Sequence, residues 1–215
     1  RLQELVSQDD IYYLYPSTNN KKLMSLLADY CALPEENVQY FASSDSLHEY
    51  LVRMYVGVGD PILILSPSYD NFRLTCESQG AQIYYHDYEP DFSFDGAAFR
   101  KSIESITPSL VYICTPNNPS GNVIEKEYIV DLLQSFPDTI FLIDEAYHEF
   151  YGHSMSNFVL IHQNLFVTRT FSKAFGLANF RAGYLISNAE NIAQISKIRN
   201  PKNFTTFTQE AVIAV

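Results

Sequence analysis

Three stretches decide the fold: SLVYICTPNNPSG (109–121), TIFLIDEAYHEF (139–150) and NLFVTRTFSKAFGLANFRAGYLIS (164–187). In each, an apolar run of strand length empties directly into a polar loop. Strands that are apolar throughout are buried on both faces, as in a parallel sheet covered by helices. Outward from these stretches, PILILS (61–66) and AQIYYH (81–86) read as further strands. Helical spacing fills the intervals, in KKLMSLLADYC (21–31), DSLHEYLVRMYVG (45–57), NFRLTCESQG (71–80), DGAAFRKSIES (95–105) and EKEYIVDLLQSF (125–136). Ser44 and Asp45 offer an N-cap to the second of these helices. After Pro201, FTQEAVIAV (207–215) begins another helix. The expected class is α/β, a doubly wound, mostly parallel sheet with helices on both faces.

Composition narrows the function. The 215 residues are 47% hydrophobic and 18% charged, a globular balance. A net charge of −11 argues against a nucleic-acid binder, which needs clustered Lys and Arg. No apolar run approaches the roughly 20 residues of a membrane helix, and the polar start RLQELVSQDD does not read as a signal peptide. Cys31, Cys76 and Cys114 form no CxxC pair and sit among apolar residues, as reduced core cysteines of a cytoplasmic protein do. Only Asp144, His148 and His153 approach ligand spacing and no HExxH is present, so no metal is expected. No strand is followed by GxGxxG or GxxxxGK[ST], which removes the common nucleotide cradles.

In doubly wound folds the chemistry collects in the loops beyond the carboxyl ends of the strands. Lys173 stands at such a strand-to-loop transition with Thr170 and Ser172 beside it and Arg181 further on. Partial burial and a nearby cation would lower the pKa of such a lysine and free its lone pair as a nucleophile. Asp144 closes a strand of apolar residues, where a carboxylate needs a cation or several donors. Each signal also has a plain alternative: a surface lysine, a capping aspartate, and a simple turn at Pro116, Asn117, Asn118 and Pro119.

The succession YPS (15–17), SSD (43–45), PSY (67–69), TPNNPSG (115–121), DEAYHEF (144–150) and TFSKAFGLANFRAGY (170–184) resembles the fold-type I pyridoxal-phosphate aminotransferases. Within them it is most similar to the histidinol-phosphate aminotransferase branch, and the likeness runs from about residue 12 to the end. The resemblance implies pyridoxal 5′-phosphate as cofactor, bound to Lys173 as a Schiff base, with Lys173 later carrying protons at the substrate Cα. Asp144 would pair with the pyridine nitrogen, Asn118 and Tyr147 with the phenolic oxygen, and Tyr69 would stack on the ring. The phosphate would fall to Thr170, Ser172, Arg181 and the helix start at Ser44 and Asp45, where the Asp45 backbone N–H would contribute. Tyr15 would reach the phosphate of a neighbouring subunit, which implies a homodimer.

Two departures qualify the match. The family carries glycine before the SD pair, whereas this chain reads FASSD with Ala42 and Ser43. The family also has a C-terminal small domain holding the arginine for the substrate carboxylate. The expected layout is therefore a cofactor-binding large domain over 1–200, including an N-terminal arm over 1–20, then over 201–215 the start of a helix leading to an absent small domain. The implied reaction moves an amino group from an amino acid or phosphorylated amine to a 2-oxo acid. Decarboxylation of a phosphorylated amino acid, or a non-catalytic remnant of the fold, are the alternatives.

Overall fold

The computed structural model describes Ser7 and residues 9–215; the remainder of the expected N-terminal arm lies outside the described residues. Seven strands form one sheet: β1 (Val38–Phe41), β2 (Pro61–Ser66), β3 (Gln82–Asp87), β4 (Leu110–Cys114), β5 (Ile140–Asp144), β6 (Leu165–Thr170) and β7 (Gly183–Ser187). Their order across the sheet is β1-β7-β6-β5-β4-β2-β3. Strands β3, β2, β4, β5 and β6 are parallel neighbours, while β7 runs antiparallel to both β6 and β1. The reversal follows from the connection. Between β6 and β7 the chain forms no helix beyond a single 3-10 turn, Ala178–Phe180, and a parallel crossover needs more.

Side chains alternate across the strands and build a core on each face. On one side Val111, Ile113, Phe141, Ile143 and Val167 meet α1 (Lys21–Cys31), α4 (Gly96–Ile106) and α5 (Lys126–Ser135). On the other, Leu110, Tyr112, Leu142 and Phe166 meet α2 (Ser44–Tyr55), α3 (Asn71–Ser78) and α7 (Ala189–Ile198). Between these lie the short α6 (His148–Tyr151) and, near the end, α8 (Thr206–Ile213). Every residue of β4 is buried, as its unbroken apolar run requires.

Two elements are not among those read from the sequence. Strand β1 is only four residues, VQYF, and helix α7 follows β7 after the single capping residue Asn188, whose side chain accepts from the Asn191 N–H. One cap also moves. The N-cap of α2 is Ser43, whose hydroxyl accepts from the Ser46 N–H at 3.2 Å, so Ser44 and Asp45 belong to the first turn. Ser43 holds φ 90°, a conformation that glycine adopts without penalty, so the serine keeps the glycine-like loop at a cost in strain and gains a cap.

Candidate active site

Beyond the carboxyl ends of β4, β5 and β6 lies a cleft of about 140 Å³. Its walls contain Ser44, Asp45, Tyr69, Asn118, Asp144, Tyr147, Thr170, Ser172, Lys173 and Arg181, ten of the eleven residues singled out from the sequence. They arrive from six segments of the chain, and Ser44 and Arg181 are far apart in sequence. Cys114, Ala146 and Ala178 complete the lining; small or buried, they carry no signal that a sequence could show. Tyr15 is elsewhere: it is 77% exposed, with the Lys202 ammonium 4.2 Å from its ring centre.

Asp144 is 3% exposed at the floor. One carboxylate oxygen accepts from the Tyr112 hydroxyl at 2.8 Å, the other from the Ala146 N–H at 3.1 Å and the Thr168 hydroxyl at 3.3 Å. Thr168 Oγ1 in turn lies 3.2 Å from Nε2 of His48, which is 1% exposed. Burial lowers the His48 pKa against the opposing pull of Asp144 and Asp45, so the ring is neutral. Burial and the adjacent Asp144 raise the Tyr112 pKa well above its usual value, so it remains a donor. All three partners of Asp144 are thus neutral donors, which satisfy its lone pairs without cancelling a charge.

At the rim, Tyr69 donates to Asp45 Oδ1 at 3.0 Å and Arg181 pairs with Asp45 Oδ2 at 3.0 Å. The Tyr69 pKa is pushed up to about 12 by burial and by that carboxylate. The expectation for Asp45 named only its backbone N–H; here its side chain ties two walls of the cleft together. Lys173 is exposed rather than partly buried, with its ammonium 5.3 Å from the centre of the Tyr147 ring. In the PNNP loop, Asn117 is scaffold. Its amide donates to Pro67 O and Ser120 Oγ and accepts from Ser68, leaving the adjacent Asn118 to face the cleft.

Gly183, which lies within the 170–184 stretch but was given no role from sequence, brings the rims together. A Cβ on Gly183 would lie 2.6 Å from the Ser44 nitrogen and 2.9 Å from the Arg169 carbonyl oxygen. Only glycine lets the start of α2 approach β7 this closely. Behind the floor, Glu145 and Arg169 form a buried pair at 2.9 Å, joined by the Ser154 hydroxyl and the Met155 N–H.

The model of the family "Aminotransferase class I and II" matches residues 2–215. The chain belongs to the class I and II aminotransferases. Among its relatives, the dihydroxyacetone phosphate transaminase of Campylobacter jejuni is 39% identical over 93% of this chain and 55% of its own length. The histidinol-phosphate aminotransferase of Thermoanaerobacter pseudethanolicus is 33% identical over 100% of this chain and 60% of its own. The crystal structure of the histidinol-phosphate aminotransferase from Sinorhizobium meliloti, in complex with pyridoxal-5′-phosphate, superposes with a TM-score of 0.90 at 26% identity. It is matched over 99% of this chain and 58% of that one. The chain thus spans a little over half the length of these aminotransferase relatives. Membership implies pyridoxal 5′-phosphate as the cofactor of this fold.

Proposed function

We propose that the chain carries the cofactor half of an aminotransferase active site and that Lys173 is the residue to which the cofactor attaches. The observation that supports this most is the gathering of an amine, a buried carboxylate and a guanidinium, Lys173, Asp144 and Arg181, in one cleft. That donor set fits pyridoxal 5′-phosphate: an amine for its aldehyde, a carboxylate with neutral partners for its ring nitrogen, and a cation for its phosphate. When bound, the cofactor supplies a ring that accepts electrons from the substrate Cα. Asp144 keeps a proton on the ring nitrogen. Asn118 and Tyr147 would hold the phenolic oxygen of the cofactor, and Tyr69 would pack against its ring. Arg181, Thr170, Ser172 and the free first-turn N–H groups of α2 at Ser44 and Asp45 hold the phosphate. Lys173 would take and return the proton at the substrate Cα.

The substrate reading is amino transfer to a 2-oxo acid from a small amine that bears a phosphate. Its support is that the names of the transaminase relatives from both Campylobacter and Thermoanaerobacter contain a phosphate ester. The working unit is a homodimer in the cytoplasm. Residues Tyr12, Tyr13, Leu14 and Tyr15 are each more than half exposed and offer an apolar arm to a second copy, whose phosphate site Tyr15 would complete. The three cysteines are free and buried, as suits a reducing compartment. Residues 1–200 form the cofactor-binding domain, and 201–215 lead toward a further domain.

The test incubates the native protein with pyridoxal 5′-phosphate, 2-oxoglutarate and a panel of phosphorylated and plain amines, following glutamate formation. Glutamate is expected with a phosphorylated donor, and Lys173→Ala abolishes it. Carbon dioxide release that needs no 2-oxo acid would instead select the decarboxylase alternative.

A further inference from the structure

His48 is a buried titratable group close to the cleft that does not line it. It lies in the second turn of α2, 1% exposed, edge-on to Phe72 and Tyr112 at 5.5 and 5.9 Å, two rings that stack on each other at 4.3 Å. A buried position beside this stacked aromatic pair suits phenylalanine better than imidazole. The protein instead keeps a polar ring there, and its Nδ1 is buried without a hydrogen-bond partner. An unmet buried acceptor costs on the order of 1–3 kcal/mol, so the other nitrogen must repay a function rather than stability.

That other nitrogen, Nε2, faces Thr168 Oγ1. The Thr168 hydroxyl donates to Asp144, so its oxygen is left to accept, and the neutral ring must carry its proton on Nε2. This assigns the tautomer and explains the bare Nδ1. The chain of donors therefore runs in one direction: His48 Nε2–H to Thr168, Thr168 O–H to Asp144. Hydrogen bonds in such a chain polarise one another, so the imidazole strengthens the bond that Thr168 makes to the carboxylate. The sheet register enforces the geometry, because Asp144 and Thr168 are paired neighbours on β5 and β6.

We infer that His48 is a positioning residue which, through Thr168, fixes the orientation of the Asp144 carboxylate toward the ring nitrogen of the cofactor. The inference rests on the cofactor reading above. It makes His48 costly for the cofactor-free fold and useful only once the cleft is filled.

The experiment uses the native protein loaded with pyridoxal 5′-phosphate labelled with 15N in the ring, and reads the ring-nitrogen resonance, the cofactor dissociation constant and the melting temperature of the cofactor-free form. In wild type the resonance is at the protonated position. In His48→Phe and Thr168→Val it moves toward the neutral position, and the dissociation constant rises about threefold and about tenfold respectively. In the cofactor-free form His48→Phe melts no lower than wild type. His48→Gln, which offers an N–H where Nε2 was, restores the resonance. An unmoved resonance in either His48→Phe or Thr168→Val overturns the inference. Should His48→Phe fail to fold, the near-isosteric Thr168→Val alone decides: an unmoved resonance there overturns it as well. Wild type that takes up no cofactor overturns the cofactor reading itself, a separate failure visible before any variant is made.

Discussion

Asp144 and Glu145 are adjacent, both acidic and both nearly fully buried, yet their surroundings differ in kind. The two-residue period of the strand points them to opposite faces of the sheet. Asp144 shares its face with Thr168 and Tyr112 and receives three neutral donors. Glu145 shares its face with Arg169 and receives a guanidinium, a hydroxyl and a backbone N–H. Burial works against the Arg169 cation, and Glu145 together with Tyr184 and Cys31 outweighs it, so the net shift of the Arg169 pKa is upward. One carboxylate is compensated within the fold and serves as structure. The other is hydrogen-bonded by neutral groups, which leaves its charge uncompensated by a cation, as the proposed cofactor role requires. Partner chemistry, more than burial, separates the two roles.

Removing charge from each breaks the comparison in opposite ways. Glu145→Gln leaves Arg169 buried and unpaired. It should cost about 3–5 kcal/mol, a fall in melting temperature of roughly 10 °C by calorimetry for a chain of this size. Glu145→Gln combined with Arg169→Met should recover most of that loss. Asp144→Asn should leave the cofactor-free melting temperature unchanged or raised, because no cation is stranded. It should still lower the amino-transfer rate by about a hundredfold or more in steady-state assays, since a neutral amide cannot balance the ring proton.

Two smaller effects sharpen the picture. Gly183→Ala brings a Cβ against backbone on both sides and should cost about 1–3 kcal/mol in denaturant melts, with weakened phosphate affinity. The pH dependence follows from His48, whose pKa burial lowers below its ordinary 6.5. The unfolded chain then binds this proton more readily than the folded one. The lowered pKa therefore costs no stability above about pH 6.5, and stability falls as pH drops below it, by at most about 1.4 kcal/mol per pH unit. His48→Gln should flatten that part of the acid profile, while the partly buried His86, shifted the same way by burial, keeps a smaller slope.

The cleft was largely legible in the sequence because most of its candidate residues sit at or shortly after the ends of apolar strands, where both the strand pattern and the side-chain chemistry are visible. Asp144 at the end of β5, and Asn118 and Lys173 shortly past β4 and β6, are of this type, whereas Arg181 lies just before β7 and is read only within the 170–184 stretch. What supports them was not legible. Thr168 and Tyr112 lie inside apolar runs, where a hydroxyl reads as part of the strand, and His48 reads as one more residue of an amphipathic helix. Their pairing depends on the register between β5 and β6 and on how α2 crosses the sheet. Neither is written in local spacing. The direction of β7 is hidden for a similar reason: β7 reads as one more apolar strand, and only the lack of a helix in the preceding loop forces it to run backwards. Ser43 shows the reverse case, a serine that departs from the usual glycine yet keeps the backbone conformation a glycine would take.

The most direct test of the account is the visible absorption of the native protein titrated with pyridoxal 5′-phosphate, followed by borohydride reduction and peptide mapping by mass spectrometry. The account predicts a yellow band that borohydride removes, with the label fixed on Lys173. A label on another lysine, or no band in a folded protein, would contradict it.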